Sequence, residues 1–314
     1  MKAATIDRFS TPAEVHEIAR PELEDHAVLF RVTAAGVNPI DWKIRDGQAG
    51  KRSFPLILGQ DFAGIVERAG KGVTRVTAGE RIFGIARKHG VYAEFSEVRE
   101  GEDDSPFTKI PEGVSDAQAA ALPTPGLTAL ASLEALDAGT ATELLIVGAA
   151  GAVGCIAVQL ARDRNVKIAA VVRPGQEHDT HALGVNTVIV AKGDDVLSAV
   201  RAAHPEPFDA VLDMVSDGNA LKRNAPLMKP GGTLVTTIHV ADEAWFEQLG
   251  IRAINISMAA TPQSSPAGLD ELARLVEDGR LIVKIGSERP LDEANTVLDG
   301  IKSGSIHGKV ILRP

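Results

Sequence analysis

Glu143-Leu-Leu-Ile-Val-Gly-Ala-Ala-Gly-Ala-Val-Gly154, continued by Cys155-Ile-Ala-Val-Gln-Leu-Ala-Arg162, reads as strand, tight turn and helix. Leu144 to Val147 is a short apolar run with β-branched members, which predicts a strand buried on both faces of a parallel sheet. Val153, Ile156, Ala157 and Leu160 then fall at helical i, i+3, i+4, i+7 spacing. Between them lies Ala149-x-Gly151-x-x-Gly154. In the dinucleotide fingerprint G-x-G-x-x-G, the first glycine makes the turn, the second lets backbone approach the pyrophosphate, and the third allows close helix-to-strand packing. Here Ala149 takes the first place and the other two glycines are present. The strand before and the helix after supply the context that a nucleotide site requires.

Outward from this stretch the pattern alternates strand and helix. Val166–Val172, Thr187–Val190, Phe208–Met214, Gly232–Ile238 and Ile254–Met258 are further strand candidates, and six strands with such crossovers specify a doubly wound parallel α/β sheet. Residues 270–278 are expected as a helix ended by Gly279, 281–285 as a strand, 291–301 as a helix and 309–313 as a last strand. The first part of the chain is different. Val28–Thr33, Ala63–Arg68, Arg81–Gly84 and Gly90–Val98 are short extended runs broken by Gly, Pro and Asp, as in a β-rich, barrel-like domain, and Met1–Ile6 is strand-like. Glu100–Pro106 reads as an acidic surface loop. Ser115 is the expected N-cap of a helix with Gln118 at the capping-box position, stopped by Pro123, and a second helix is expected over 127–136. The expected domains are therefore 1–123 with 280–314, and 124–279 for the dinucleotide-binding part.

At 314 residues, 44% hydrophobic and 24% charged, the chain can bury two substantial cores. No apolar run approaches the ~18 residues of a membrane span and the N-terminus shows no signal-peptide pattern, so a cytoplasmic protein is expected. A net charge of −9 argues against nucleic acid as a partner. Cys155 is the single cysteine, which rules out an intrachain disulfide and a cysteine-based zinc cluster; in its helix it reads as a packing residue.

The second strand of the parallel set specifies the nucleotide. NAD sites carry an acidic residue about 20 residues past the glycines, where NADP sites place a cation. Val172 closes that strand and Arg173 follows, so the carboxylate is missing and a guanidinium, able to clasp a 2′-phosphate, stands beside its place. The expected cofactor is NADPH. His178 and His181 lie just beyond, open to a phosphate-pocket or a surface role.

Six further segments, in order, resemble the medium-chain dehydrogenase/reductase superfamily in its zinc-free quinone oxidoreductase and enone reductase branch. They are Ala34-Ala-Gly-Val-Asn-Pro-Ile-Asp41, Leu58-Gly-Gln-Asp-Phe-Ala-Gly64, Gly79-Glu-Arg-Ile-Phe-Gly84, Leu122-Pro-Thr-Pro-Gly-Leu-Thr-Ala129, Lys229-Pro-Gly-Gly-Thr-Leu234 and His307-Gly-Lys-Val-Ile-Leu312. The resemblance implies a Rossmann sheet beside a GroES-like barrel domain, and a homodimer. Zinc-dependent relatives use Cys in the first of these segments and His-Glu in the second; here Asn38 and Gln60-Asp61 stand there, so no metal is expected.

What the resemblance implies chemically is hydride transfer from NADPH to a quinone or to the β-carbon of an α,β-unsaturated carbonyl. Asn38 matches an asparagine lining the family's active site, where its amide can hold the nicotinamide ribose or the substrate oxygen. Asp41 is a candidate to orient neighbours, and Lys43 either donates to a developing enolate or lies in solvent. Cofactor contacts carried over by position are Thr128, Gly148, Ala150, Gly151, Ala152, Val153, Thr237, Ile238 and His239, with His239 a candidate to shape the substrate pocket and Met258 read first as core packing and second as a pocket residue. Many relatives carry a tyrosine near the first loop. Trp42 stands in this region, and the one tyrosine, Tyr92, reads as packing; Ala191 stands near where relatives place a tyrosine against the adenosine. The proton source is open between water, the cofactor ribose and a side chain. Two other readings share these residues: an enoyl-thioester reductase, and an NADPH-binding protein with a structural or regulatory role.

Overall fold

The computed structural model describes residues 1–101, 105–139, 142–193 and 195–314. Residues 102–104 of the expected acidic loop lie outside them. Two compact units share the chain, Met1–Leu127 with Ser264–Pro314, and Thr128–Gln263.

Unit 1 begins with β1 (Lys2–Ile6), β2 (Glu14–Glu17), β3 (Ala27–Gly36), β4 (Leu56–Ile57), β5 (Asp61–Ala69), β6 (Arg81–Ile85), β7 (Phe95–Arg99) and β8 (Phe107–Lys109). β2, β1 and β4 form a small antiparallel sheet. The long β3 organises the other: it pairs antiparallel with β5 and with β7, and the β3–β5 register shifts twice, with an extra residue on β5 (Glu67) opposite Leu29/Phe30 and one on β3 (Thr33) between Val32 and Ala34. Alternate residues of these strands meet inside, where the rings of Phe30 and Phe62 stack with centroids 4.2 Å apart. The helix Pro39–Arg45 follows β3 directly, and Pro39 at its first turn costs no hydrogen bond, because that N–H would have no helical partner.

Unit 2 contains β9 (Glu143–Val147), β10 (Lys167–Val172), β11 (Thr187–Val190), β12 (Phe208–Asp213), β13 (Met228–Thr236) and β14 (Arg252–Asn255). They form one sheet in the order β11-β10-β9-β12-β13-β14, and every pairing is parallel. β9 lies at its centre. Leu144, Leu145 and Ile146 are fully buried and Val147 nearly so, the two-faced burial that its unbroken apolar run predicts. The helix Ala152–Asp163 packs Ile156, Ala157, Leu160 and their neighbours inward. The chain then returns to unit 1 through β15 (Ile285–Pro290) and β16 (Lys309–Arg313), which extend its larger sheet beside β3.

Several expectations shift in place. The second helix starts at Pro123 rather than Leu127, because Pro123 and Pro125 fit its first turn, where no donor is missed. The Gly90–Val98 run is a strand only from Phe95: Gly90 has φ +60°, and the N–H groups of Val91 and Tyr92 both donate to Leu58 O. The expected 281–285 strand becomes Ile285–Pro290, since Leu281 is buried closing the preceding helix and donates to Leu275 O. The 254–258 strand is Arg252–Asn255, and Met258 opens a 3₁₀ turn. The helix Pro266–Glu277, placed by the sequence reading with the nucleotide part, divides with unit 1, where Asp270 accepts from Thr108 and Leu272 packs beside Gly126. Among the described residues no helix is long and apolar enough to cross a membrane.

The turn after β9 depends on close approach. A Cβ at Gly154 would stand 2.3 Å from Gly148 O and 2.7 Å from Ala149 Cα, both backbone atoms. Gly154→Ala is therefore expected to push the helix off the turn and destabilise the protein by about 1–3 kcal/mol, measured as a fall in the thermal unfolding midpoint.

Candidate functional site

β9 and β12 are neighbours at the point where the strand order reverses, and ligands of such sheets sit beyond the strands' carboxyl ends there. The fold brings most of the expected cofactor residues to this edge. Gly148, Ala150, Gly151, Ala152 and Val153 follow β9, Val172 and Arg173 end β10, and Thr237, Ile238 and His239 follow β13. Thr128 does not follow a strand of this sheet: it lies nearly buried in the helix Pro123–Ala135, its carbonyl accepting from Ser132 Oγ.

The Ala149 departure from the fingerprint has a local cause. The positive φ of the turn, +90°, belongs to Gly148, and Ala149 is fully buried without one. The glycine requirement has moved one residue back, and a side chain fits where the first fingerprint glycine would be. Gly151 then caps the helix Ala152–Asp163 with no side chain over its end, leaving the helix's positive pole open to an anion. Arg173 is exposed, its backbone N–H donating to Gln176 Oε1 at 3.1 Å, and its guanidinium forms no ion pair among the described residues. His178, His181 and His239 are exposed, and His239 holds φ +58°.

One loop on this edge escaped the sequence reading. Asp213, buried at the end of β12, accepts from the N–H groups of Val215 at 3.0 Å and Ser216 at 2.8 Å; burial raises its carboxyl, opposed by these bonds. The turn so fixed leaves Val215 57% exposed, within 2.9 Å of the position a Cβ on Gly148 would take. The signal was Asp-Met-Val-Ser at a strand end, legible only once the strand order was known.

Unit 1 contains the second concentration of chemistry. Asn38 is the N-cap of the helix Pro39–Arg45, yet its side chain does not cap it: the Asp41 N–H donates to the Asn38 carbonyl at 3.0 Å, and the Asn38 N–H donates to Asp41 Oδ2 at 2.8 Å. The freed amide is held at both ends. Nδ2 donates to Asp61 Oδ2 at 2.8 Å, and Oδ1 accepts from Lys309 Nζ at 2.6 Å. Asp61 also accepts from Thr124, at Oδ1 from the hydroxyl (2.6 Å) and at Oδ2 from the N–H (3.1 Å). Tyr92 donates its hydroxyl to Asp41 Oδ2 at 2.9 Å, and its ring fills the space beside Gly59, where a Cβ would come within 2.2 Å. Asn38, Asp41, Asp61, Tyr92 and Lys309 are all buried.

The charges do not balance: two carboxylates face one ammonium. Asp41 bears the difference. Burial raises its carboxyl to about 7, with Asp61 adding to the rise and the bonds from Asn38 and Tyr92 opposing it. Among the described residues its Oδ1 has no hydrogen-bond partner. Burial, helped by the carboxylate of Asp41, raises the Tyr92 hydroxyl well above its usual range, which keeps it a neutral donor. Burial pulls the Lys309 ammonium down, against the pull of Asp61.

Of the expected reaction-loop residues, Asn38 and Asp41 thus meet in one network, whereas Lys43 is half-exposed with Nζ 5.8 Å from the Trp42 ring centroid. Tyr92, read as packing, is both packing and a polar member. Lys309 and Asp61 stand in two of the family-like segments without a role of their own legible there; the one local signal is a lysine opening an otherwise apolar strand.

Residues 24–151 match the family described as Alcohol dehydrogenase GroES-like domain, and residues 183–312 match the one described as Zinc-binding dehydrogenase. The quinone oxidoreductase of Rattus norvegicus is 29% identical, over 99% of this chain and 97% of its own. The solved structure of the quinone oxidoreductase from Coxiella burnetii superimposes with a TM-score of 0.88 at 29% identity, covering 100% of this chain and 99% of that one. The chain belongs to the medium-chain dehydrogenase/reductase superfamily, in its quinone oxidoreductase branch. The 2-methylene-furan-3-one reductase of Solanum lycopersicum is also similar, 26% identical over 95% of this chain and 74% of its own. Unit 1 contains the GroES-like fold of this superfamily, unit 2 the Rossmann sheet, and the protein is an oxidoreductase.

The raised carboxyl gives this oxidoreductase a pH-dependent stability. Asp41 binds its proton at about 7 when folded against an ordinary 3.8, so the folded state retains a proton that the unfolded chain has released. Its contribution is full below the ordinary value and is lost as pH rises through the folded one. Asp41→Asn, which cannot titrate, is expected to gain stability relative to the wild type across that window, by up to ~1.4 kcal/mol per pH unit, and to hold the gain above it. Urea unfolding at about pH 4, 5.5 and 8 measures the gap; a gap independent of pH contradicts the assignment.

Proposed function

We propose that the protein is an NADPH-dependent, zinc-independent oxidoreductase that transfers hydride to a quinone or to the activated C=C of an α,β-unsaturated carbonyl. The observation that carries the cofactor reading is the exposed Arg173, in no ion pair among the described residues, directly after Val172 at the strand end where an NAD site needs a carboxylate. A guanidinium there takes a 2′-phosphate bidentately. The N-terminus of the helix Ala152–Asp163 suits the pyrophosphate: its N-cap Gly151 has no side chain to cap the first N–H groups and lets a ligand approach the backbone closely. These features fit the dinucleotide, which when bound supplies the hydride.

The donor set in unit 1 supports chemistry without a metal. Where zinc-dependent relatives carry Cys and His-Glu, this chain has Asn38, Gln60 and Asp61, and the Lys309 ammonium lies 2.6 Å from Asn38 Oδ1 and 3.6 Å from Asp61 Oδ2. A buried cation is already in place, and a divalent ion beside it would meet repulsion at low dielectric. Without a Lewis acid, an electron-poor acceptor such as a quinone or enone is the substrate that needs least polarisation. Asn38 is the group read as contacting substrate oxygen or the nicotinamide ribose. A preorganised amide of this kind helps most when charge develops on the oxygen it holds.

Stopped-flow oxidation of NADPH and NADH against small quinones, alkenals, cyclic enones and an enoyl-thioester tests the assignment. Turnover with quinones or free enones and NADPH is the expected result. Preference for the thioester moves the substrate to a carrier-bound acyl chain, and NADPH binding without turnover makes the protein a nucleotide-binding component. Arg173→Ala is expected to raise the KM for NADPH by about tenfold or more, the loss of one charge-assisted contact of ~1.4 kcal/mol, and to leave the KM for NADH within about twofold. Equal effects on both cofactors would falsify the role of Arg173.

A further inference from the structure

Lys309 opens the last strand of unit 1, and its ammonium is buried beneath the loop that carries Asn38. The register explains the reach: Ile311 and Leu312 pair with Gly36 and Ala35 of β3, so the side chain two residues earlier extends past Gly36 toward Val37 and Asn38. Gly36 leaves the space, since a Cβ there would stand 3.1 Å from Nζ. Nζ donates to Asn38 Oδ1 at 2.6 Å and to Val37 O at 3.2 Å.

The amide of Asn38 is thereby bound at its two ends by groups of opposite charge. Only the oxygen can face the ammonium, and only the NH₂ can face the Asp61 carboxylate. A flipped amide would set N–H donors against Nζ and the carbonyl against Asp61. Helix capping does not compete for the amide, because the backbone of Asn38 and the carboxylate of Asp41 take over that task. Lys309 also offsets the charge of Asp61, but it lies 3.6 Å from that carboxylate and 2.6 Å from the amide oxygen. The short, directional contact is with Asn38.

We propose that Lys309 is a positioning residue of the reaction, fixing which end of the Asn38 amide is turned to the ligand. The proposal rests on the reading of Asn38 as a ligand contact. It assigns a functional part to the final strand of the chain, far in sequence from the reaction loop.

The test is a double-mutant cycle on the full-length protein with NADPH and the best acceptor found, using Lys309→Met, Asn38→Ala and the pair. Lys309→Met is expected to lower kcat by about tenfold in the wild-type background, and by less than about twofold once Asn38 is alanine, because contact partners couple. Lys309→Gln retains a neutral donor and is expected to recover part of the loss; it also serves if the methionine variant does not fold. Independently of turnover, the side-chain ¹⁵N–¹H pair of Asn38, assigned by its absence in Asn38→Ala, is expected to move in both Lys309 variants. Equal losses of kcat in the two backgrounds, or an unmoved Asn38 pair, would overturn the role of Lys309. Wild-type turnover in Asn38→Ala would instead remove Asn38 from the reaction, and the proposal with it.

Discussion

A buried ammonium constrains how the strands of unit 1 come together. Removing Lys309 from water costs several kcal/mol unless charge and hydrogen bonds repay it. The repayment comes from scattered stretches: Val37 and Asn38 after β3, Asp61 at the start of β5, and through Asp61 the residue Thr124. These groups converge only if β16 lies against β3 and β3 against β5 in one register. A slip of one residue would turn Lys309 to the opposite face of the sheet and leave Asp61 without its cation. The C-terminal strand is thus tied to the N-terminal half by polar atoms whose mismatch is costly, as well as by the apolar core around Phe30 and Phe62.

The same economy leaves one amide fixed in place. An asparagine at a helix N-cap ordinarily spends its side chain on the first turn. Here Asp41 reaches back to the N-cap N–H, and the Asn38 amide is released, oriented and held. The excess of one carboxylate is absorbed by Asp41, whose burial raises it to about 7, while Tyr92 stays neutral and donates to it. A site that must stabilise charge on an oxygen benefits from dipoles that do not reorganise during the reaction. In unit 2 the device is simpler: Gly148 turns the chain at φ +90°, and the helix that follows begins without a side-chain cap hydrogen bond.

Much of this was legible along the chain, and the particular residues show why. The apolar run of β9, the helical spacing after it and the two retained glycines are local signals, so strand, turn and helix all stand where they were read. Arg173 stands at the end of β10, as its short distance in sequence from the glycines predicts. The strand boundaries near Tyr92 and Leu281 were displaced because hydrogen bonds to Leu58 and Leu275 decided them, and no periodicity records those partners. The helix at Pro123 began early because proline forbids a helix interior but suits a first turn, and sequence alone does not separate the two uses.

The sequence by itself determined the parallel sheet, the glycine turn after its central strand, and the loop on which Asn38 and Asp41 sit, since each depends on residues a few positions apart. The tertiary structure alone decided that Tyr92 serves Asp41, that Asp61 and Lys309 hold opposite ends of one amide, and that Val215 stands out beside the glycine turn. The physical reason is the range of the forces concerned. Turn geometry and helix periodicity act between neighbours in the chain. Desolvation and charge pairing depend on what folding brings within a few ångströms, and for Asn38 and Lys309 the partners lie at opposite ends of the sequence.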